Sequence, residues 1–366
     1  MRPLLGLLVL AIVGHAGAAI AYPQFQLSRD QTCFACHLSP AGGGLLNENG
    51  LATADSISRF GTAPEFMYGA IPQPSWLALG GDLRGASGFD SWPTHELATF
   101  PMEADLYAAI TVSSFSLHVT GGLRDPQYGD TLGTIFYSPE HWLQWELDPG
   151  ESRGLVVRAG RFAPVYGLRY VEHTAFDDQY GGNPLYGEAY GVAIEYVDPK
   201  WEVHLTGFLH DPWQYSSELG NGAALYAEAR PTKTTSVGVE SKLEYTPDAR
   251  NLYSGITAKQ LVGPVLFELE AEVENQRIDL GGHDDQLVQT LLASWFIGGF
   301  MIDLGVGAWE PNLHVRYLDQ EAADLNIHYF LTSHVELLLI NRFQMLELGE
   351  GGVSSGYSLL QLHYRL

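Results

Sequence analysis

From about residue 75 to the C-terminus, apolar and polar side chains alternate with a period of two. In WEVHLTGFLH (201–210), Trp201, Val203, Leu205, Gly207 and Leu209 fall on one face, and Glu202, His204, Thr206, Phe208 and His210 on the other. In MEADLYAAITV (102–112), Met102, Ala104, Leu106, Ala108, Ile110 and Val112 oppose Glu103, Asp105, Tyr107 and Thr111. The same alternation recurs in segments near 76–85, 115–123, 141–148, 154–162, 187–197, 222–230, 236–245, 251–260, 264–276, 286–297, 300–309, 312–319, 324–332, 335–346 and 356–366. Each is a strand of roughly ten residues, joined alternately by tight and longer links. The longest link runs from about Ala163 to Tyr186 and is expected to fold into the lumen or lie over an opening.

The pattern predicts an all-β chain closed into an antiparallel barrel of the outer-membrane kind, with apolar side chains toward lipid and polar ones toward a lumen. Such single-chain barrels have even strand counts, so about sixteen strands are expected. A closed barrel leaves no backbone amide unpaired in lipid. A soluble sandwich or propeller fits less well: no blade-length repeat is visible. The last strand, SGYSLLQLHYRL, also places Leu360, Leu362, Tyr364 and Leu366 on one face, as terminal barrel strands do.

The N-terminus has a different character. Arg2 precedes an apolar run, Leu4 to Val13, that is too short to span a bilayer, and Ala19-Ile20-Ala21 forms a small-residue cleavage signal. Residues 1–21 therefore read as a secretory signal peptide, 22–74 as a separate Gly- and Pro-rich segment and 75–366 as the barrel. The formal net charge of -24 argues against nucleic acid and anionic membrane surfaces as partners, and favours cations.

Both cysteines of the chain lie in Cys33-Phe34-Ala35-Cys36-His37, a C-x-x-C-H motif. At this spacing two thiols can bond to the two vinyl groups of one haem while the histidine reaches the iron from the proximal side. A thioredoxin-like pair would need a βαβ domain, and a zinc site would need further ligands. A disulfide here would close a tiny loop and stabilise little. The motif thus predicts one covalent haem c, held by Cys33, Cys36 and His37 and attached after export. The sequence does not fix the sixth ligand: Met67 is one candidate, with Met102, His95 and His204 as rivals. A segment as short as 22–74 buries little surface alone, so it is expected to fold as a plug against the lumen wall.

In PVLFELEAEVENQ (264–276), Glu268, Glu270, Glu272 and Glu274 share one strand face, about 7 Å apart. Such a ladder in a lumen attracts cations and is a candidate metal-binding face. Glu103, Asp105, Glu195, Glu202, Glu240 and Glu244 carry the same phase on other strands. Two further groups could bind metal or simply be solvated: Glu172, His173, Asp177 and Asp178 in the long link, and His283-Asp284-Asp285 in a turn.

A C-x-x-C-H segment ahead of an outer-membrane barrel resembles the fused monohaem cytochrome–porins of iron-oxidising bacteria. The likeness rests on export, the motif at 33–37, Pro40, the run Leu46-Asn47-x-x-Gly50 and the barrel that fills the rest. After Gly50 the sequence continues LATADSISRFG, where the iron oxidases carry a basic residue and a longer aromatic-basic stretch. The resemblance implies electron transfer across the outer membrane, between a periplasmic carrier such as a cytochrome c and an extracellular donor or acceptor, Fe(II) among them. A cation-preferring porin with a structural or gating haem plug is the alternative reading. A haem enzyme such as a peroxidase is a third, and would need an open sixth position and a distal acid–base group.

Overall fold

The computed structural model describes residues 22–29, 32–90, 97–123, 136–148, 153–170, 175–184, 187–210, 220–278, 282–315, 319–348 and 351–366. The side chains of Asp90, Asp178, Glu347, Leu348 and Gly351 are not described. The expected leader, His95, Glu172 and His173 lie outside these residues.

The described residues form one sheet of seventeen strands. In order these are β1 Leu77–Asp90, β2 Leu97–Val112, β3 Phe115–Leu123, β4 Phe136–Tyr137, β5 His141–Glu146 and β6 Gly154–Phe162. There follow β7 Ala189–Asp198, β8 Trp201–Leu209, β9 Asn221–Thr232, β10 Thr235–Tyr245, β11 Ala249–Val262 and β12 Val265–Ile278. The set ends with β13 His283–Ile297, β14 Phe300–Glu310, β15 Gln320–Thr332, β16 Val335–Leu348 and β17 Gly351–Arg365. All pairings are antiparallel. β1 pairs with β2 on one side and β17 on the other, which closes the barrel: Asp82 stands opposite both Asp105 and Arg365. β4 and β5 both pair with β3 and occupy one position in the wall. The wall is therefore sixteen strands around, as the alternation predicts.

The expected strand over 312–319 is not formed by its described residues, 312–315 and 319. Residues 312–315 form a turn and β15 begins at Gln320. Pro311 removes a ladder donor, and the Leu313 amide bonds to Asp285 O at 2.8 Å instead. Conversely, His283 to Asp285 open β13 and are not a turn.

The surface is inverted relative to a soluble protein. Along β3 the residues alternate exposed and buried, with Phe115, Leu117 and Val119 outside and Ser116, His118 and Thr120 inside. Leu205 is 50% exposed and its neighbour His204 0%. Ile256 is exposed and Thr257 buried; Leu304 is exposed and Asp303 buried. Only lipid makes this arrangement favourable, since each outward apolar side chain would otherwise face water. No described helix is long and apolar enough to cross a membrane; the crossing is made by strands.

Two-residue turns join β2 to β3, β7 to β8, β9 to β10, β11 to β12, β13 to β14 and β15 to β16. At Gly298-Gly299 both φ angles are positive (55° and 88°), the geometry that suits strand twist in a tight hairpin. The long links β1–β2, β6–β7, β8–β9 and β14–β15 lie at the other end. Short turns mark the periplasmic end of such barrels, and the chain enters β1 and leaves β17 at that end.

Residues 22–74 occupy the lumen from the tight-turn end. The segment contains short helices α1 Gln24–Ser28, α2 Cys33–Cys36 and α3 Glu48–Ile57. The Tyr22 hydroxyl donates to Glu336 of β16 at 2.6 Å, and Lys259 of β11 donates to Gln26. Gln144 of β5 donates to Leu38 O at 3.1 Å, and Arg158 of β6 to Ser39 Oγ at 3.3 Å. Contacts with walls this far apart around the barrel require the segment to sit inside it. The Arg59 and Phe60 amides add a short backbone ladder to Phe330 O and Leu331 O at 2.8 and 3.0 Å, latching the segment to the end of β15.

Candidate cofactor site and lumenal constriction

The C-x-x-C-H motif is a single capped turn of helix. Thr32 accepts the Ala35 amide through Oγ1 at 3.2 Å, the N-cap bond that starts α2. The His37 amide donates to Cys33 O at 2.9 Å and the chain then turns back. Gly42, Gly43 and Gly44 all have positive φ (82°, 74° and 56°), which permits the reversal. It closes with an antiparallel bridge between His37 and Leu46.

The Leu46-Asn47-x-x-Gly50 run has a mechanical role. Asn47 caps α3 by accepting the Gly50 amide at 2.9 Å. Its amide nitrogen also reaches the carbonyls of Phe34 and His37, at 3.3 and 3.4 Å. Gly50 lets α3 lie directly on α2: a Cβ there would stand 2.0 Å from Cys36 O. The run thereby fixes α3 against the cysteine turn.

Cys33 and Cys36 are separate thiols, Cys33 buried and Cys36 half-buried. Both line one cavity of about 720 Å³ together with His37. This volume lies within the usual range for small-molecule and cofactor sites, about 300–1,000 Å³. Burial pushes both thiols up and lowers the His37 imidazole to about 4, so the ring is neutral. His37 Nδ1 lies 2.9 Å from Gly43 O, so Nδ1 carries the proton and Nε2 keeps its lone pair. Two thiols, a neutral imidazole with Nε2 free and an adjoining cavity make a donor set that could hold a haem c.

The structure does not bring the candidate sixth ligand Met67 to this set. Phe66 and Gly69 line the cavity, but Met67 between them does not; it is 38% exposed. Met102 and His204 lie elsewhere on the wall, and His204 is held by Glu195 at 2.9 Å. The imidazoles on the cavity wall are His334 and His363, which the chain pattern did not single out. His334 bonds Ala63 O at 2.7 Å and Arg365 O at 2.8 Å. His363 bridges Asp82 at 2.7 Å and Glu336 at 3.1 Å. They reach the plug only because closure brings β16 and β17 beside β1.

Above the plug, the β6–β7 link turns inward, as its length suggests. Val165, Tyr166, Leu168, Tyr170 and Phe176 are all buried, and a short helix, α4 Phe176–Tyr180, crosses to the far wall. Tyr180 stacks on Trp309 at 3.6 Å, and Arg342 lies over Phe176. Arg169 donates to Ala41 O, joining the link to the plug.

Glu268, Glu270, Glu272 and Glu274 face inward and are buried, as their phase predicts. They are not a uniformly free cation-attracting face. Glu270 accepts the Leu168 amide at 2.7 Å and Glu272 the Gly182 amide at 2.8 Å, so two of the ladder anchor the inward link. Most other lumenal carboxylates have basic partners. Arg158 forks onto Glu195 at 2.7 and 2.9 Å; Arg230 bridges Glu202 and Glu228; Lys259 meets Glu228; Arg84 meets Glu103 at 2.9 Å. Asp177 is buried on α4, and burial raises it to about 6. His283 and His314 flank Asp285 at 3.3 and 3.0 Å on the exposed rim.

A closed antiparallel wall sixteen strands around is also found among solved structures. The chain has the fold of an outer-membrane porin. An anion-selective porin from Comamonas acidovorans superposes with a TM-score of 0.60 at 10% identity, covering 79% of this chain and 99% of that one. OmpT of Vibrio cholerae gives 0.60 at 14%, covering 81% and 100%. Salmonella typhi OmpF in complex with daunomycin gives 0.55 at 12%, covering 79% and 97%. No protein-family model and no curated protein matches the sequence. The porin-like part is the barrel; the likeness at these identities concerns fold alone.

Proposed function

We propose that this porin-type barrel is an electron conduit of the outer membrane whose lumenal plug carries one covalently attached haem c. The observation that carries the reading is the meeting of Cys33, Cys36 and His37 at one cavity inside a membrane barrel. When bound, haem supplies a one-electron centre whose potential follows its axial ligands and burial. The chain's own residues do the rest. Cys33 and Cys36 would hold the haem covalently through their two thiols. Gly43 O holds the His37 ring through Nδ1, which leaves Nε2 free to serve as the iron ligand. The wall of β1, β2 and β17 shelters the site. A hydrocarbon core is about 30 Å thick. A centre held within the lumen shortens the path between an external donor, such as Fe(II), and a periplasmic cytochrome c docking beneath.

A second reading is a porin whose plug braces or gates the channel. The fold likeness and the latch of residues 59–63 onto the β15–β16 end favour it. The test uses liposomes carrying the purified, haem-loaded protein, with oxidised cytochrome c inside and Fe(II) outside. The conduit predicts reduction of the enclosed cytochrome c, lost in Cys33→Ser. Reduction no faster than in empty liposomes overturns it. Ion conductance in planar bilayers, indifferent to haem redox state, would then establish the channel reading.

A further inference from the structure

We propose that Glu240, Glu270 and Glu272 form a site for one hard divalent cation of the calcium class, which ties the inward link to the barrel wall. The strand register builds the site. Glu240 of β10 stands opposite Gly255 of β11, and Gly255 stands opposite Glu272 of β12, so the three form one row across the wall. Because the middle residue has no side chain, the two flanking carboxylates can lean together over it. A Cβ at Gly255 would lie 2.1 Å from Glu240 Oε1. Glu270 joins from two positions along the same face of β12. One carboxylate oxygen from each of the three lies within 4.8 Å of the other two. Calcium binds oxygen at about 2.3–2.6 Å, so ligands on opposite sides of it are about 4.6–5.2 Å apart. A magnesium shell, at about 2.0–2.1 Å, is tighter and demands a more strictly octahedral set of ligands.

The second observation is Glu240 itself. It is 4% exposed, and neither of its oxygens has a hydrogen-bond partner. The Gly167 amide approaches it without reaching hydrogen-bond geometry. Glu270 and Glu272 each spend one oxygen on the inward link, Oε2 on the Leu168 amide and Oε1 on the Gly182 amide. Glu270 Oε1 and Glu272 Oε2 remain on the side where Gly167 and Gly182 leave room: a Cβ at either glycine would meet them at 2.4 and 3.0 Å. The nearby cation, Lys242, is committed to Gly182 O at 2.6 Å and Glu244 at 3.2 Å. Asp177 adds another carboxylate within electrostatic range. Three buried carboxylates this close repel strongly unless protons or a cation intervene. A calcium ion would neutralise them at once, with water completing its shell. Occupancy would then set how firmly residues 163–170 and 175–184 narrow the lumen, a property separate from any haem on the plug.

The test uses the full-length, chelator-treated protein folded in detergent at pH 8, titrated with Ca²⁺ by calorimetry and followed by hydrogen exchange. We expect one tight Ca²⁺ per chain, with slowed exchange at the Leu168 and Gly182 amides. Affinity should fall at least 100-fold in Glu240→Gln and in Gly255→Ala, which keeps every carboxylate but fills the space between them. The exposed control Glu321→Gln should bind as the unaltered chain does. The proposal is overturned if the unaltered chain binds no stoichiometric Ca²⁺, which would leave protons to relieve the repulsion. It is equally overturned if Ca²⁺ binds without protecting those two amides, or if Glu240→Gln keeps full affinity. Should neither variant fold, the protection pattern of the unaltered chain decides alone.

Discussion

Gly50→Ala isolates the contact on which the cysteine turn depends. The added methyl would begin 2.0 Å from Cys36 O, 2.9 Å from its carbonyl carbon and 3.1 Å from Leu46 Cβ. The first two neighbours are backbone, so no rotamer change relieves the clash; α3 must withdraw from α2 by about 1 Å or more. That withdrawal strains the Asn47 bonds to Phe34 O and His37 O. Overpacking of this kind costs about 1–3 kcal/mol. At the upper end that is roughly a 100-fold loss in the ratio of docked to undocked plug, at tenfold per 1.4 kcal/mol. The barrel has its own closed hydrogen-bond network and should be unaffected. Limited proteolysis reads both parts in one sample: residues 22–74 should be cut at least ten times faster in the variant, while the barrel band persists. Haem per chain should fall in parallel. Protection of the plug equal to that of the unaltered protein would refute the packing argument.

Glu195→Ala strands Arg158 and His204 in the lumen wall, where each now bonds that carboxylate; loss of one partner of a buried pair costs about 3–5 kcal/mol. Guanidinium unfolding of the barrel measures it, and an unchanged midpoint would contradict the pairing. Leu205→Arg, on the outer face beside buried His204, should destabilise the barrel in lipid by about 2–4 kcal/mol, with a smaller penalty for Arg nearer either rim. Met67→Ala should leave the optical spectrum and reduction potential of the haem-loaded protein unchanged, because Met67 does not line the cavity. Loss of a low-spin spectrum on that substitution would restore Met67 as ligand.

Most of the barrel was legible because a lipid-facing wall forces a strict period of two. The register of polar faces followed directly: Glu268, Glu270, Glu272 and Glu274 do point inward. Their partners did not follow. The amides of Leu168 and Gly182 belong to a link about a hundred residues earlier in the chain, and only its inward fold brings them to β12. The described residues 312–315 form a turn where a strand was expected, because alternation alone does not register Pro311, which removes a ladder donor. The cysteine turn was readable from spacing, and Asn47 and Gly50 from their place in the motif. His334 and His363 were not, since their position on the cavity wall depends on closure of β17 onto β1. Met67 was suggested by nearness in sequence, and the backbone turn at Phe66–Gly69 leaves its side chain exposed, off the cavity lining.

The central claim is that a porin-type barrel carries a redox centre on its plug, and the haem content of the purified chain tests it most directly. Expressed with a periplasmic cytochrome c maturation system, the protein should show one covalently bound haem per chain by pyridine haemochrome and intact mass. Cys33→Ser/Cys36→Ser should carry none while still folding as a barrel. A folded barrel with two free thiols and no haem under those conditions would contradict the account.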